Sequence, residues 1–232
     1  MADSDIETVL STCEQKLAAG ESINLGTEGF WRKVGQVKRD PALIEQYAER
    51  IGQIDRQAFE AWALRSFPIR LGEALLWLGT VISLAIVAAA YYVDEPWNGL
   101  LLLAGTGGLL VTTHGLGHLI IGRLVGMRFT HWFIAELARP QPGVKTDYAS
   151  YLRTPARRRA WMHASGALTT KAMPFLMLGA AAGMEAPFWS WIVLIAIGVV
   201  MIITDVTMST KNSDWKKFNR EMAIARQLDG SR

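Results

Sequence analysis

With 232 residues, half of them hydrophobic and nine of them Trp, the chain has the composition of a small membrane protein carrying a polar appendage. A single cysteine, Cys13, excludes an intrachain disulfide and a multi-cysteine zinc site. The formal charge is only +3, and the placement of the basic residues described below accounts for it without nucleic acid.

The start, Met-Ala-Asp-Ser-Asp-Ile-Glu, is acidic and unlike a signal peptide, so insertion is expected from internal segments. Residues 1–66 read as a cytoplasmic helical segment. Ser4 followed by Glu7 has the form of a capping box, and Ile6, Leu10, Cys13 and Leu17 then share one helical face until Gly20 ends the run. Asp40-Pro41 opens a second helix, with proline at its first position. Ile44, Tyr47, Ile51, Ile54, Ala58 and Trp62 form its apolar stripe. That stripe suits either a helical cap packing on itself or a partner or dimer contact through residues 41–66.

Residues 67–210 carry four apolar segments, near 71–93, 98–122, 160–182 and 187–208, each close to the roughly 20 residues that cross a bilayer. Two short connections, Asp94-Glu95-Pro96-Trp97 and Gly183-Met184-Glu185-Ala186, contain no Lys or Arg. Of the 24 basic residues, nine precede the first segment, eight lie between 123 and 159 and six follow the fourth, leaving Lys171 alone inside a span. The positive-inside rule then makes both termini and the 123–159 connection cytoplasmic. Trp97, Trp189 and Trp191 would form one interfacial belt, and Trp132, Trp161 and Trp215 the other, with His131 read as interfacial. The expected class is therefore all-α, a four-span helical bundle of the cytoplasmic membrane. Glycines at 105, 107, 108, 115, 117 and 122 suit close helix packing in the second span.

The connection from Arg139 to Arg159 is too polar to span and too long for a simple turn; it reads as a basic loop or an extended segment. Residues 211–232 form a third region, in which Trp215, Phe218, Met222 and Ala225 share a face flanked by Lys216, Lys217 and Arg220. Such a helix is expected to lie on an anionic leaflet.

His114 and His118 are one turn apart inside the second span and project from the same face. Imidazole nitrogens in hydrocarbon need partners. At about 1.5 Å per residue, His118, His163 and Asp205 all lie about 5 to 6 Å from the cytoplasmic end, and His114 about 12 Å. Two imidazoles and a carboxylate suit Zn²⁺ with one open position, which makes His114, His118 and Asp205 the expected metal set. Lys171 and Thr170 are expected near this layer, with Lys171 pairing with Asp205 or serving the site, and His163 as a further ligand, a second-layer partner or an interfacial residue.

The segment Thr113-His114-Gly115-Leu116-Gly117-His118 resembles the signature His-Glu-x-x-His of the intramembrane site-two protease family, in which Leu-Gly is common at the middle positions. Ala164-Ser165-Gly166-Ala167-Leu168 is similar to the small-residue stretch of the family's intervening span. The resemblance covers residues 98–208 and implies zinc held by His114, His118 and an aspartate on a later span, Asp205 or, as a weaker candidate, Asp214. It also implies a membrane-helix substrate or client. The family's glutamate is Gly115 here, which cannot accept a proton from zinc-bound water, so the resemblance implies a protein that binds more readily than it cleaves. Two alternatives stay open: a non-catalytic membrane scaffold or pseudoprotease, and a b-type haem protein pairing His114 or His118 with His163.

Overall fold

The computed structural model describes residues 2–63, 65–136, 139–208 and 213–230. Its elements run α1 (Ala2–Ala18), α2 (Phe30–Val37), α3 (Pro41–Trp62), β1 (Arg65–Pro68), α4 (Ile69–Ala89) with a 3₁₀ turn (Ala90–Tyr92), α5 (Trp97–Leu124), β2 (Phe129–Glu136), β3 (Arg139–Thr146), α6 (Tyr148–Arg153), α7 (Ala156–Gly183), α8 (Phe188–Thr207) and α9 (Asp214–Gly230). Whereas hydropathy divides the sequence at 66 and 210, compactness divides the chain into one unit of Met1–Ile69, Gly122–Arg159 and Glu221–Arg232, and a second of Arg70–Ile121 and Ala160–Arg220.

The first unit is built on the apolar faces expected of α1 and α3. Ile6, Leu10 and Cys13 of α1 pack with Phe30, Val34 and Val37 of α2, with Tyr47, Ile51 and Ile54 of α3, and with Leu152 of α6. The α3 stripe thus closes a core within this unit, and only its last member, Trp62, is exposed. Asp40 caps α3 as expected, accepting from the backbone of Ala42 at 2.9 Å, and Gly20 turns the chain after α1 with φ of 71°. α1 begins at Ala2, upstream of the Ser4 expected to cap it, and the Ser4 carbonyl accepts from the Thr8 hydroxyl.

An all-α class requires one correction: β1, β2 and β3 form an antiparallel sheet in that order. The aromatic and β-branched run Phe129-Thr130-His131-Trp132-Phe133-Ile134, whose His131 and Trp132 were expected at the membrane interface, is a central strand whose residue types favour pairing. Phe133 packs against Phe59 at 4.9 Å and Trp62 at 6.1 Å, which joins the sheet to α3.

The second unit contains three helices long and apolar enough to cross a membrane, covering Ile69–Tyr92, Trp97–Leu124 and Phe188–Thr207. Leu78, Val81 and Ile82 of α4 and Ile192, Val200, Ile203 and Val206 of α8 are all more than half exposed, an apolar exterior suited to hydrocarbon and costly in water. Inside, Leu102, Ala181 and Leu194 are fully buried in one cluster, and Thr80 of α4 donates to or accepts from Thr112 of α5 at 2.9 Å. α7 falls outside the three because Ser165, Thr169, Thr170 and Lys171 make it the polar helix of the set.

Candidate metal centre

The site is assembled in the second unit from α5, α7 and the first turn of α9. One helical turn separates His114 from His118, and their rings meet edge to face with centroids 4.8 Å apart. Their Nε2 atoms lie 3.3 Å from each other. Asp214 Oδ2 lies 3.2 Å from the Nε2 of His118 and 3.4 Å from that of His114. These three residues form the one group among the described residues in which three or more metal-ligating side chains converge, all ligand atoms falling within 4.8 Å.

The other ring nitrogens define the protonation state. His118 Nδ1 lies 2.8 Å from the Met162 carbonyl, which can only accept, so Nδ1 carries the proton. Thr170 donates its hydroxyl to the Gly166 carbonyl at 2.8 Å and therefore accepts from His114 Nδ1 at 2.9 Å. Both Nε2 atoms are left to present lone pairs toward the Asp214 carboxylate. Three electron-pair donors facing one point repel unless a cation or a proton lies among them. Tetrahedral ligands around Zn²⁺ at its usual bond lengths stand about 3.3 to 3.5 Å apart, and the triangle of 3.2, 3.3 and 3.4 Å matches that spacing. The Nδ1 partners supply the outer hydrogen bonds by which protein metal sites orient imidazole ligands.

Electrostatics prepares the carboxylate for this role. Burial pushes the Asp214 carboxyl up, but when His118 also carries a proton on Nε2, in the place a cation would otherwise take, its hydrogen bond and charge together with Lys217 outweigh burial and hold the group down at about 2. Lys217 lies 3.6 Å from Oδ1, leaving Oδ2 to face the histidines. The His114 side chain keeps 34% exposure against 11% for His118.

The carboxylate of the group is Asp214 and not Asp205. The place of Asp205 around the α8 axis turns it to α7, where it is ion-paired with Lys171. Lys171 is thus in the structural pairing that the sequence had left open. Asp214 stands at the head of α9, where a carboxylate also suits the positive end of the helix dipole. Its signal in the sequence was faint: an acidic residue just before an amphipathic helix. Thr170 sits behind His114 as an outer partner, whereas His163 is not among the three converging residues, so the axial pairing that haem would require is not assembled by them. Gly115 is half-buried on the α4 side of α5, where an added Cβ would lie 3.1 Å from Leu76 Cδ1.

No family model matches this chain, and no curated protein or solved structure is detectably similar to it.

Proposed function

We propose that the chain is a zinc-binding membrane protein built on the plan of an intramembrane site-two protease, with α7 as a fourth span, and that it holds a membrane-helix substrate or client without efficiently cleaving it. The convergence of His114, His118 and Asp214, with both outer nitrogens already engaged, carries this reading. A bound zinc ion would supply Lewis-acid polarisation at the open position. The chain's own residues then hold the ligands and leave that position accessible beside His114.

What is missing is a proton acceptor. Gly115 stands where the family's glutamate belongs, and loss of a general base costs typically about 10²- to 10⁴-fold in rate. Support for α7 as a span comes from its outward face, on which Leu168, Phe175 and Leu176 are exposed while Ser165, Thr169 and Thr170 turn to the site helices. Polar residues on the inner face lower its average hydropathy without preventing insertion.

Elemental analysis of the purified full-length protein tests the metal. Stoichiometric zinc is expected in the natural chain, lost in His118→Ala and Asp214→Asn and kept in Asp205→Asn. Zinc that survived Asp214→Asn but vanished with Asp205→Asn would overturn the ligand set, and a metal-free, fully folded protein would favour the scaffold. Gly115→Glu asks the second question. The obstructing atom is the end of a flexible leucine, so the substitution should fold and confer chelator-sensitive cleavage of a membrane-helix substrate. Zinc binding without any cleavage in that variant would place the chain among non-enzymatic proteins.

A further inference from the structure

The first two turns of α9 and the start of α7 form a surface unrelated to the metal ligands in chemistry. Trp161 of α7 is 51% exposed and meets Phe218 of α9 at 5.5 Å, and Phe218 stacks on Trp215 at 5.2 Å. Beside this aromatic cluster Lys216 and Arg220, one turn apart on α9, are both exposed and have no ion-pair partner among the described residues. The second half of the helix differs, since Glu221, Ile224 and Ala225 are buried. The amphipathic face expected to lie on lipid along the whole of α9 is therefore reduced to residues 213–220.

We infer that Trp161, Trp215, Phe218, Lys216 and Arg220 bind the headgroups of anionic phospholipid, the rings lying among glycerol and upper acyl groups and the two cations on the phosphate. Three observations converge on that occupant. The α7 face continues from Trp161 through the exposed Leu168, Phe175 and Leu176, so the aromatic cluster stands at one end of an apolar stripe, where interfacial tryptophan belongs. The unpartnered charges are both positive, complementary to an anionic leaflet. Stacked rings offer a flat apolar ledge beside those charges, an arrangement suited to a molecule with a charged head and an apolar tail.

Full-length protein in zwitterionic detergent, titrated with dansyl-labelled phosphatidylglycerol or phosphatidylcholine, provides the test. Phosphatidylglycerol should bind more tightly, and the double variant K216Q/R220Q should lose about tenfold or more of that preference while its phosphatidylcholine binding and thermal midpoint stay as in the natural chain. The charge-conserving pair K216R/R220K should retain the preference, which separates lost charge from lost folding. Equal preference in K216Q/R220Q, or none in the natural chain, would overturn the proposal; so would displacement of the lipid by millimolar inorganic phosphate, which would mean that a free anion and not a lipid is recognised. Zinc content plays no part in this measurement, so it stands or falls separately from the metal centre.

Discussion

Gly166 shows how narrowly the candidate metal centre is fitted. A Cβ built on it would lie on the imidazole of His118, and on the facing helix a Cβ at Gly117 would lie 3.2 Å from the Ser165 carbonyl and 3.3 Å from Gly166 Cα. Hydrogen at both positions lets α5 approach α7 closely enough for His118 Nδ1 to reach the Met162 carbonyl. In an ordinary helix interior, replacing Gly by Ala stabilises by about 1 kcal/mol. Gly166→Ala is expected to do the opposite to the site, weakening zinc binding by about 10- to 100-fold as loss of an outer support does, without abolishing the fold. A zinc titration of this variant beside its thermal unfolding curve checks it, and unchanged affinity would show that His118 has room the geometry denies it. The sequence marked Gly117 as a packing residue and gave Gly166 only as part of a small-residue stretch. It could not show that Gly166 faces an imidazole, because that depends on the rotation of two helices about their own axes.

Within the first unit, α9 is held by a buried charge network rather than by apolar contact alone. Glu221 accepts from Lys38 at 2.7 Å, from the Tyr151 hydroxyl at 2.9 Å and from Arg159 Nε at 2.7 Å. Arg159, 1% exposed, also donates to the carbonyls of Leu152 and Thr154. Burial raises the Glu221 carboxyl, but Lys38 and Arg159 outweigh it and draw the group below its ordinary value of 4.5. A carboxylate with a depressed folded value contributes stability above its unfolded value and loses it as pH falls through the folded one. The thermal midpoint should therefore drop on acidification below about pH 4.5, and Glu221→Gln should remove that component. At neutral pH the same variant strands a buried guanidinium and should cost about 3 to 5 kcal/mol in chemical unfolding; a cost under about 1 kcal/mol would mean that the network is readily rehydrated. Helix positions such as α3 were legible from apolar periodicity and the Asp40-Pro41 start. This network was not, since the partners of Glu221 lie 62 to 183 residues away along the chain and each charged member reads alone as a surface charge.

For the whole molecule, the distribution of charge makes the strongest statement. The connections 94–97 and 183–186 lack basic residues, whereas the segments before α4, between α5 and α7 and after α8 are rich in them. Cysteines introduced at Glu95 and Glu185 should react with a membrane-impermeant maleimide added to intact cells, and one at Ser4 only after lysis; labelling of Ser4→Cys from outside would invert the proposed topology. Cys13 is buried and should contribute little background. The sequence by itself determined the mostly helical character, three of the four expected apolar spans and the paired histidines, because each follows from residue type at short range: period, length and spacing along one chain. It missed the sheet because its aromatic strand fits a membrane interface equally well. For the third member of the candidate metal group the sequence offered Asp205 first and Asp214 second, and the tertiary structure decided between them. A rise of 1.5 Å per residue gives depth but not the side of the helix a residue faces, and it was the facing of Asp205 toward Lys171 and the position of the first turn of α9 that put Asp214, and not Asp205, beside the histidines.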